Sequence, residues 1–371
     1  MSREGTPFRF EGPLPPALLI DRDVELDTLA RRAADRVAVR LAAPRRFGKT
    51  SLLLAHAQRL RETGWRTAHV DFSRVTDLTD VARRLAGAYA GLDPAWMRTH
   101  LAGLLGRLGI TLGAGGPAVS VGARPTSPDP EVAEAALYRL LDLPLTLWKA
   151  DRTPTLVVFD EFQDLLVARG DLDGVLRSRI QYHDVAAAYV YAGSEPSMMR
   201  ELFDNRERPL FGQADPLELA PLPLEDVLAA LSVRFAAEEL DPGEALGELV
   251  LFAAGHPQRT MLLAYLLAER VELGHEGTSR TAHEVVDDAL ARTEPAHQAL
   301  WTGLGRSERV ALAAAADGIP PASRSLALEH RLGRQTLSMA AGRLVDHGHV
   351  ARERVGTRVL DPLLAEWLRR R

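Results

Sequence analysis

The sequence predicts an α/β protein: a parallel sheet flanked by helices, then an all-helical stretch, then a small module of three helices and a two-stranded wing. Three observations carry this expectation. Apolar runs of strand length alternate with helical patterns from residue 37 to 222, the rhythm of parallel strands joined by crossover helices. The basic turn Ala43-Pro44-Arg45-Arg46-Phe47-Gly48-Lys49-Thr50-Ser51 closes the first of those runs, and ligand motifs gather at such strand ends. From Leu224 strand patterns disappear, and they return only near residue 350.

The opening residues, Pro7-Phe8-Arg9-Phe10 and a cluster at Pro13, Pro15 and Pro16, read as irregular chain lying over a surface. Residues 19–29 read as a turn into a helix whose apolar contacts are Val24, Leu26 and Leu29. Residues 37–42, broken only by Arg40, fit a largely buried strand, and 66–72 a second strand. Residues 78–92 have helical spacing. Residues 94–153 look like an insertion whose core is a β-hairpin at 109–124, with arms at 109–112 and 119–121 around a turn at 113–117. Such a hairpin covers a core edge or probes a partner. A helix is expected at 137–148.

Residues 155–159 form a β-branched and apolar run that ends in Asp160-Glu161-Phe162-Gln163-Asp164. Strands buried on both faces of a parallel sheet read this way. Residues 186–192 repeat the pattern and end in Gly193-Ser194-Glu195-Pro196, and 217–222 supply a fifth strand. Helical patterns follow at 226–238, 243–254 and 259–272, separated by Asp241-Pro242-Gly243 and Gly255-His256-Pro257. The last segment gives helices at 307–316, 323–332 and 334–346, a wing at 350–360 and a closing helix at 363–371. That order is a winged-helix pattern.

The turn from Ala43 to Ser51 has the chemistry of a phosphate cradle. Its turn N–H groups and the unpaired N–H groups of the helix that follows point into one concavity. Lys49 would reach the β- and γ-phosphates of a nucleotide, and the Thr50 hydroxyl would ligate Mg²⁺. Composition strengthens the assignment: the chain has two lysines, Lys49 and Lys149, against 43 arginines. A lysine inside Gly-Lys-Thr is therefore a choice against the chain's own bias, and arginine cannot replace a compact ammonium between phosphates. Ala43 stands where the motif ordinarily has glycine. Because the position ends a strand, it need not take a positive φ, and alanine is tolerable there.

Asp160, at a strand tip, is the expected Mg²⁺ organiser, and Glu161 the group that orients or deprotonates the attacking water. Ser194, ending the next strand, is placed to sense the γ-phosphate, and Arg259 to reach the phosphates from the helical segment. Arg206 and Arg208 are candidates for an arginine finger given to a neighbouring subunit. Arg45 and Arg46 either touch phosphate or fill the turn. In the last segment Arg334, Gln335 and Thr336 would open a recognition helix toward base edges. Arg352, Arg354 and Arg358 would line the wing against phosphates, unless the module serves protein contacts instead.

With 371 residues, 46% of them hydrophobic and 26% charged, the chain has the composition of a globular protein with several cores. It has no cysteine, which excludes disulfides, thiolate metal sites and cysteine nucleophiles. The first residues show no secretory pattern and no run suits a membrane span, so a cytoplasmic protein without a membrane partner is expected. The net charge of −5 argues against wholesale nucleic-acid binding, yet the charge is uneven. From Arg306 to Arg371 twelve arginines face seven acidic residues, a balance of +5 that leaves −10 elsewhere.

The chain resembles the archaeal-type P-loop ATPases, a branch near the AAA+ and STAND groups. The resemblance rests on Ile20-Asp21-Arg22-Asp23-Val24-Glu25-Leu26, the Pro-Arg-Arg-Phe-Gly-Lys-Thr-Ser-Leu loop and Phe159-Asp160-Glu161-Phe162-Gln163. It continues through Gly193-Ser194, Pro209-Leu210-Phe211-Gly212, Gly255-His256-Pro257 and Asp361-Pro362-Leu363-Leu364-Ala365-Glu366-Trp367-Leu368. It implies ATP and Mg²⁺, Ile20 near the adenine, a P-loop core at 1–223, a helical lid at 224–300 and a winged helix at 301–371. The expected function is an ATP-hydrolysing switch, slow or partner-stimulated, that acts through the winged helix on DNA or a protein partner, with a homo-oligomer as a further expected assembly. A nucleotide-binding regulator with little hydrolysis is the alternative.

Overall fold

The computed structural model describes residues 7–93, 102–103, 106, 110–112, 119–121 and 130–371. In chain order the first half comprises α1 (Asp23–Ala34), β1 (Val39–Ala42), α2 (Lys49–Glu62), β2 (Arg66–Asp71), α3 (Leu78–Tyr89), β3 (Ile110–Leu112), β4 (Val119–Val121), α4 (Pro130–Leu141) and α5 (Leu143–Asp151). It continues with β5 (Thr155–Asp160), α6 (Leu165–Ala168), α7 (Leu172–Ile180), β6 (Ala187–Gly193), α8 (Pro196–Asp204) and β7 (Asp215–Glu218).

Five of these strands form one parallel sheet in the order β2-β5-β6-β1-β7, the α/β architecture of a P-loop NTPase. The three inner strands are buried at every residue, as their unbroken apolar runs require. The edge strands alternate, and Pro216 sits in the edge strand β7, where a missing N–H is tolerated. Alternate residues of β5 feed opposite faces: Val157 and Phe159 pack toward α3, α4 and α8, while Leu156 and Val158 pack toward α2. The fifth strand thus starts two residues before the expected 217–222 and ends earlier, because Leu219 and Leu222 turn away to cover cores. The helix expected at 137–148 is two helices that meet at Asp142. The hairpin arms pair antiparallel, Ile110 opposite Val121, while its turn at 113–117 lies outside the described residues.

After the sheet come α9 (Leu224–Ala237), α10 (Ala245–Ala253), α11 (Pro257–Glu272) and the 25-residue α12 (Ser279–Gly303). The sequence reading assigns no element to residues 279–303, although Ala282, Val285, Val286, Ala289 and Leu290 keep helical spacing; Pro295 inside the helix masks its length. These helices share one apolar cluster, and Phe8 and Phe10 are buried in it. This corrects the reading of the opening residues as surface chain: Phe8 lies 4.5 Å from Phe235 and Phe10 lies 4.9 Å from Tyr265, ring centre to ring centre. Two aromatic side chains beside a helical bundle gain more from burial than the irregular backbone loses.

The C-terminal module is a winged helix: α13 (Arg306–Ala316), α14 (Arg324–His330), α15 (Arg334–Asp346), the antiparallel wing β8 (Val350–Arg352) and β9 (Thr357–Val359), and α16 (Pro362–Arg369). Its small core joins α13, α15 and α16. One helix belongs to two cores, since Leu363 of α16 packs into the preceding helical cluster and Leu364 into the winged helix. Among the described residues no helix is long and apolar enough to cross a membrane.

Candidate nucleotide site

β1 delivers the chain to Ala43, which is 1% exposed and donates its N–H to the Gly193 carbonyl of the neighbouring strand at 3.3 Å. Ala43 keeps a negative φ, so its methyl group costs the loop nothing. The positive φ angles fall later, at Arg46 (68°) and at Gly48 (84°), which caps α2 in a conformation that glycine adopts without strain. Phe47 between them is buried with its ring 5.0 Å from that of His256.

The loop turns the first residues of α2 toward the tip of β5. Lys49 is 6% exposed; its ammonium donates to the Ala43 carbonyl at 3.3 Å and stands 4.0 Å from Glu161 Oε1. Burial lowers its pKa, and Glu161 and Asp160 oppose that shift. An ammonium carries three donors, so this one is under-supplied where it sits. Thr50 Oγ1 donates to Asp160 Oδ2 at 3.1 Å, across 110 residues of chain.

Asp160 is buried and held at both oxygens. Oδ1 accepts the Glu161 N–H at 3.0 Å, and Oδ2 lies 3.3 Å from His69 Nε2 on β2. Burial raises the carboxyl's pKa, but the His69 contact, Lys49 and the Glu161 amide together bring it below its ordinary value. His69 has no counterpart in the sequence reading; the signal for it is the parallel register that sets Asp71 opposite Asp160 and so brings His69 to the same strand ends.

Glu161 takes φ 47°, a left-handed conformation that a non-glycine residue holds only when its surroundings impose it. Here three donors converge on its Oε2: the Ser194 hydroxyl at 2.5 Å, the Ser194 N–H at 3.1 Å and Gln163 Nε2 at 2.7 Å. Ser194 is 1% exposed and joins Glu161 rather than solvent.

A cleft of about 640 Å³ opens over these groups, walled by Arg45, Arg46, Lys49, Thr50 and Glu161, by the start of α11 and by Arg292 of α12. Residues 9–14 form its remaining wall, fastened where the Leu14 N–H donates to Ser51 Oγ at 2.9 Å. Ile20 lines a small apolar cavity beside Gly48 and Ser51, together with Leu222, Pro257 and Met261. Arg259 also faces the cleft and is 1% exposed.

The residues suit a nucleotide and its magnesium. A buried, under-supplied ammonium, a left-handed glycine at a helix N-terminus and a hydroxyl on a buried carboxylate are what phosphate and a hard cation need. Among the described residues no group of three or more His, Asp or Glu side chains is placed to hold a metal ion.

Other expected residues lie elsewhere. Arg206 is exposed, whereas Arg208 stands 3.5 Å from the buried Asp173 of its own chain. Arg334, Gln335 and Thr336 are exposed at the start of α15, where Arg334 Nε donates to the Ala322 carbonyl at 2.7 Å. Arg352 and Arg354 are exposed on the wing, and Arg358 pairs with Glu353 at 2.8 Å. The far end of α15 returns to the cleft: Asp346 O accepts the Ser197 hydroxyl at 2.9 Å, and Gly348 lies against Pro44 and the Ser194 carbonyl.

No protein-family model and no curated protein matches the chain. Solved structures do. A Walker-type ATPase of Pyrococcus abyssi, PABY2304, superposes with a TM-score of 0.70 at 19% identity, covering 98% of this chain and 100% of that one. The ORC2 protein of Aeropyrum pernix in its ADPNP-ADP complexes gives 0.65 at 17% identity, over 97% and 94% of the two chains. The ORC1 protein of the same organism in complex with DNA gives 0.53 at 17%, over 98% and 96%. The chain shares the fold of these proteins from end to end.

Proposed function

We propose that the protein binds and hydrolyses ATP with Mg²⁺, and that its nucleotide state governs a winged helix that contacts DNA. The observation that carries this is the Lys49 ammonium, buried and under-supplied beside a Thr50–Asp160 pair at the tip of β5. Bound Mg²⁺ supplies neutralisation of phosphate charge. Thr50 and Asp160 would hold it, Lys49 would hold the outer phosphates, and the turn that runs from Ala43 and Pro44 into α2 would cradle the rest with the backbone N–H groups of Arg45, Arg46, Gly48 and Ser51. Ile20 would face the base. Glu161 would orient the attacking water and take its proton.

The working units are a core at 1–223 whose opening residues Phe8 and Phe10 pack into the lid, a lid from 224 to the end of α12 at Gly303 rather than to the expected 300, and a winged helix from Arg306 rather than 301. Slow or partner-stimulated turnover is the proposed form of the activity, because Ser194 and Gln163 take up Glu161 Oε2 and leave Oε1 to a water. Of the two finger candidates, Arg206 is exposed and would serve a second copy, since Arg208 stands beside Asp173 of its own chain. The DNA contact rests on the exposed arginines at the start of α15 and on the wing, with support from the likeness to a DNA-bound relative in fold. Phosphate release measured with and without DNA, on the intact chain and on Glu161→Gln, tests the proposal. An unchanged rate in Glu161→Gln with ATP still bound overturns the hydrolytic reading and leaves a nucleotide-binding regulator.

A further inference from the structure

Arg259 occupies an uncomfortable place. It lies in the first turn of α11, where the helix dipole disfavours a cation, and it is 1% exposed. The neighbouring Arg46 guanidinium has its pKa lowered by burial and then by the charge on Arg259. One carboxylate offsets all of this. Asp361 Oδ1 accepts Arg259 Nε at 2.9 Å and its Oδ2 accepts Nη2, a two-pronged pair joining residues 102 apart. His297 Nε2 stands 3.8 Å from the same Oδ2.

Asp361 does more than balance charge. It is the N-cap of α16 in the winged helix, and its Oδ1 accepts the N–H groups of Leu363 at 3.0 Å and Leu364 at 3.4 Å. The pair therefore ties the wall of the phosphate cleft to the last helix of the C-terminal module. A buried ion pair is poor evidence of a stability device, since apolar packing of the same volume often does as well. Its position on the cleft wall is the informative part. A guanidinium has five N–H donors in a rigid fork; Asp361 takes one on Nε and one on Nη2, and the residue so held lines the cleft.

We propose that Asp361 is a positioning residue of the nucleotide site: it holds Arg259 against the bound phosphates, so the winged helix completes the site. The inference rests on the nucleotide reading above. Coupling is reciprocal, and nucleotide must then strengthen the docking of α16 by the same factor by which the docked helix strengthens nucleotide binding.

The test is equilibrium binding of Mg·ATP and of inorganic tripolyphosphate to the full chain, at a temperature where each variant is folded. Asp361→Asn keeps the capping oxygen and removes the charge. It should weaken both ligands about tenfold, within the usual range of coupling between sites. Arg259→Gln should do the same, and the double variant should lose no more than either single one. Wild-type affinity in Asp361→Asn, or losses that multiply in the double variant, overturn the inference. A loss confined to ATP, with tripolyphosphate unaffected, also overturns it, because it marks a distorted base pocket. If Asp361→Asn does not fold, Arg259→Gln alone decides: wild-type affinity for both ligands overturns the inference. Lys49→Ala separates the two proposals. If it binds ATP as tightly as the unaltered chain, the nucleotide reading falls and this inference with it.

Discussion

The cleft and the exposed face of the winged helix are both rich in cationic groups, yet they are built in opposite ways. In the cleft Lys49 and Arg259 are buried, and each is aimed by partners far away in sequence, Glu161 and Asp361. On the winged helix Arg352 and Arg354 stand in solvent, Arg334 is exposed with its Nε on the Ala322 carbonyl, and Arg358 pairs with a residue of its own hairpin. The first arrangement fixes geometry at the cost of desolvation. The second leaves long side chains free to follow an extended, negatively charged surface, with attraction that salt screens. One region suits a small ligand of defined shape and the other a polymer.

That contrast can be broken or sharpened, beginning with the largest effect. Glu161→Gln should lower phosphate release by about 10²–10⁴-fold, the usual worth of a general base, while ATP affinity stays near that of the intact chain. A colorimetric phosphate assay beside a binding isotherm reads both. Lys49→Ala should weaken ATP about a hundredfold, as expected for a lost charge-assisted hydrogen bond, and Lys49→Arg should not restore it. Calorimetric titration checks this; full rescue by arginine would reduce the cleft to a charge patch like the winged-helix face.

Acid should weaken the buried regions next. His56, His183 and His256 are buried, and burial pushes each pKa to about 4 from 6.5. A histidine kept neutral by burial supports the fold fully above pH 6.5 and loses that support as pH falls toward 4. Between pH 7.5 and 5 the loss is roughly 2 kcal/mol per histidine at most. Urea midpoints at the two pH values measure it, and His56→Leu should flatten the difference, because it removes a titrating ring that has no hydrogen-bond partner among the described residues.

The smallest expected effects belong to the exposed face. Arg352→Ala or Arg354→Ala should weaken DNA binding evenly across sequences and reduce the slope of log affinity against log salt by about one. Binding indifferent to salt would assign that face to a protein partner.

Much of the cleft was legible in the chain. Lys49, Thr50, Asp160 and Glu161 stand at strand ends and a helix start, where local pattern and chemistry agree, and the parallel sheet followed from the apolar runs at residues 37–42, 155–159 and 186–192. The start of α15 and the wing were legible for the same reason, since turn residues and apolar spacing mark them locally. His69 was not legible. It looks like one polar residue of an edge strand until the pairing of β2 with β5 sets it beside Asp160. The burial of Phe8 and Phe10 was hidden likewise, because the helices they pack against begin more than 200 residues later.

The sequence by itself determined which groups the first strand and its loop bring together: a rare lysine, a hydroxyl and a strand-end carboxylate, the set on which the proposal of a phosphate and a hard cation rests. Only the tertiary structure decided who stands behind them. It joined Glu161 to Ser194, His69 to Asp160 and Arg259 to Asp361, and it brought the end of α15 back to Pro44. The reason is physical. Backbone propensity and apolar period act over a few residues, whereas a buried charge takes whichever partner the packing of distant elements brings within about 3 Å.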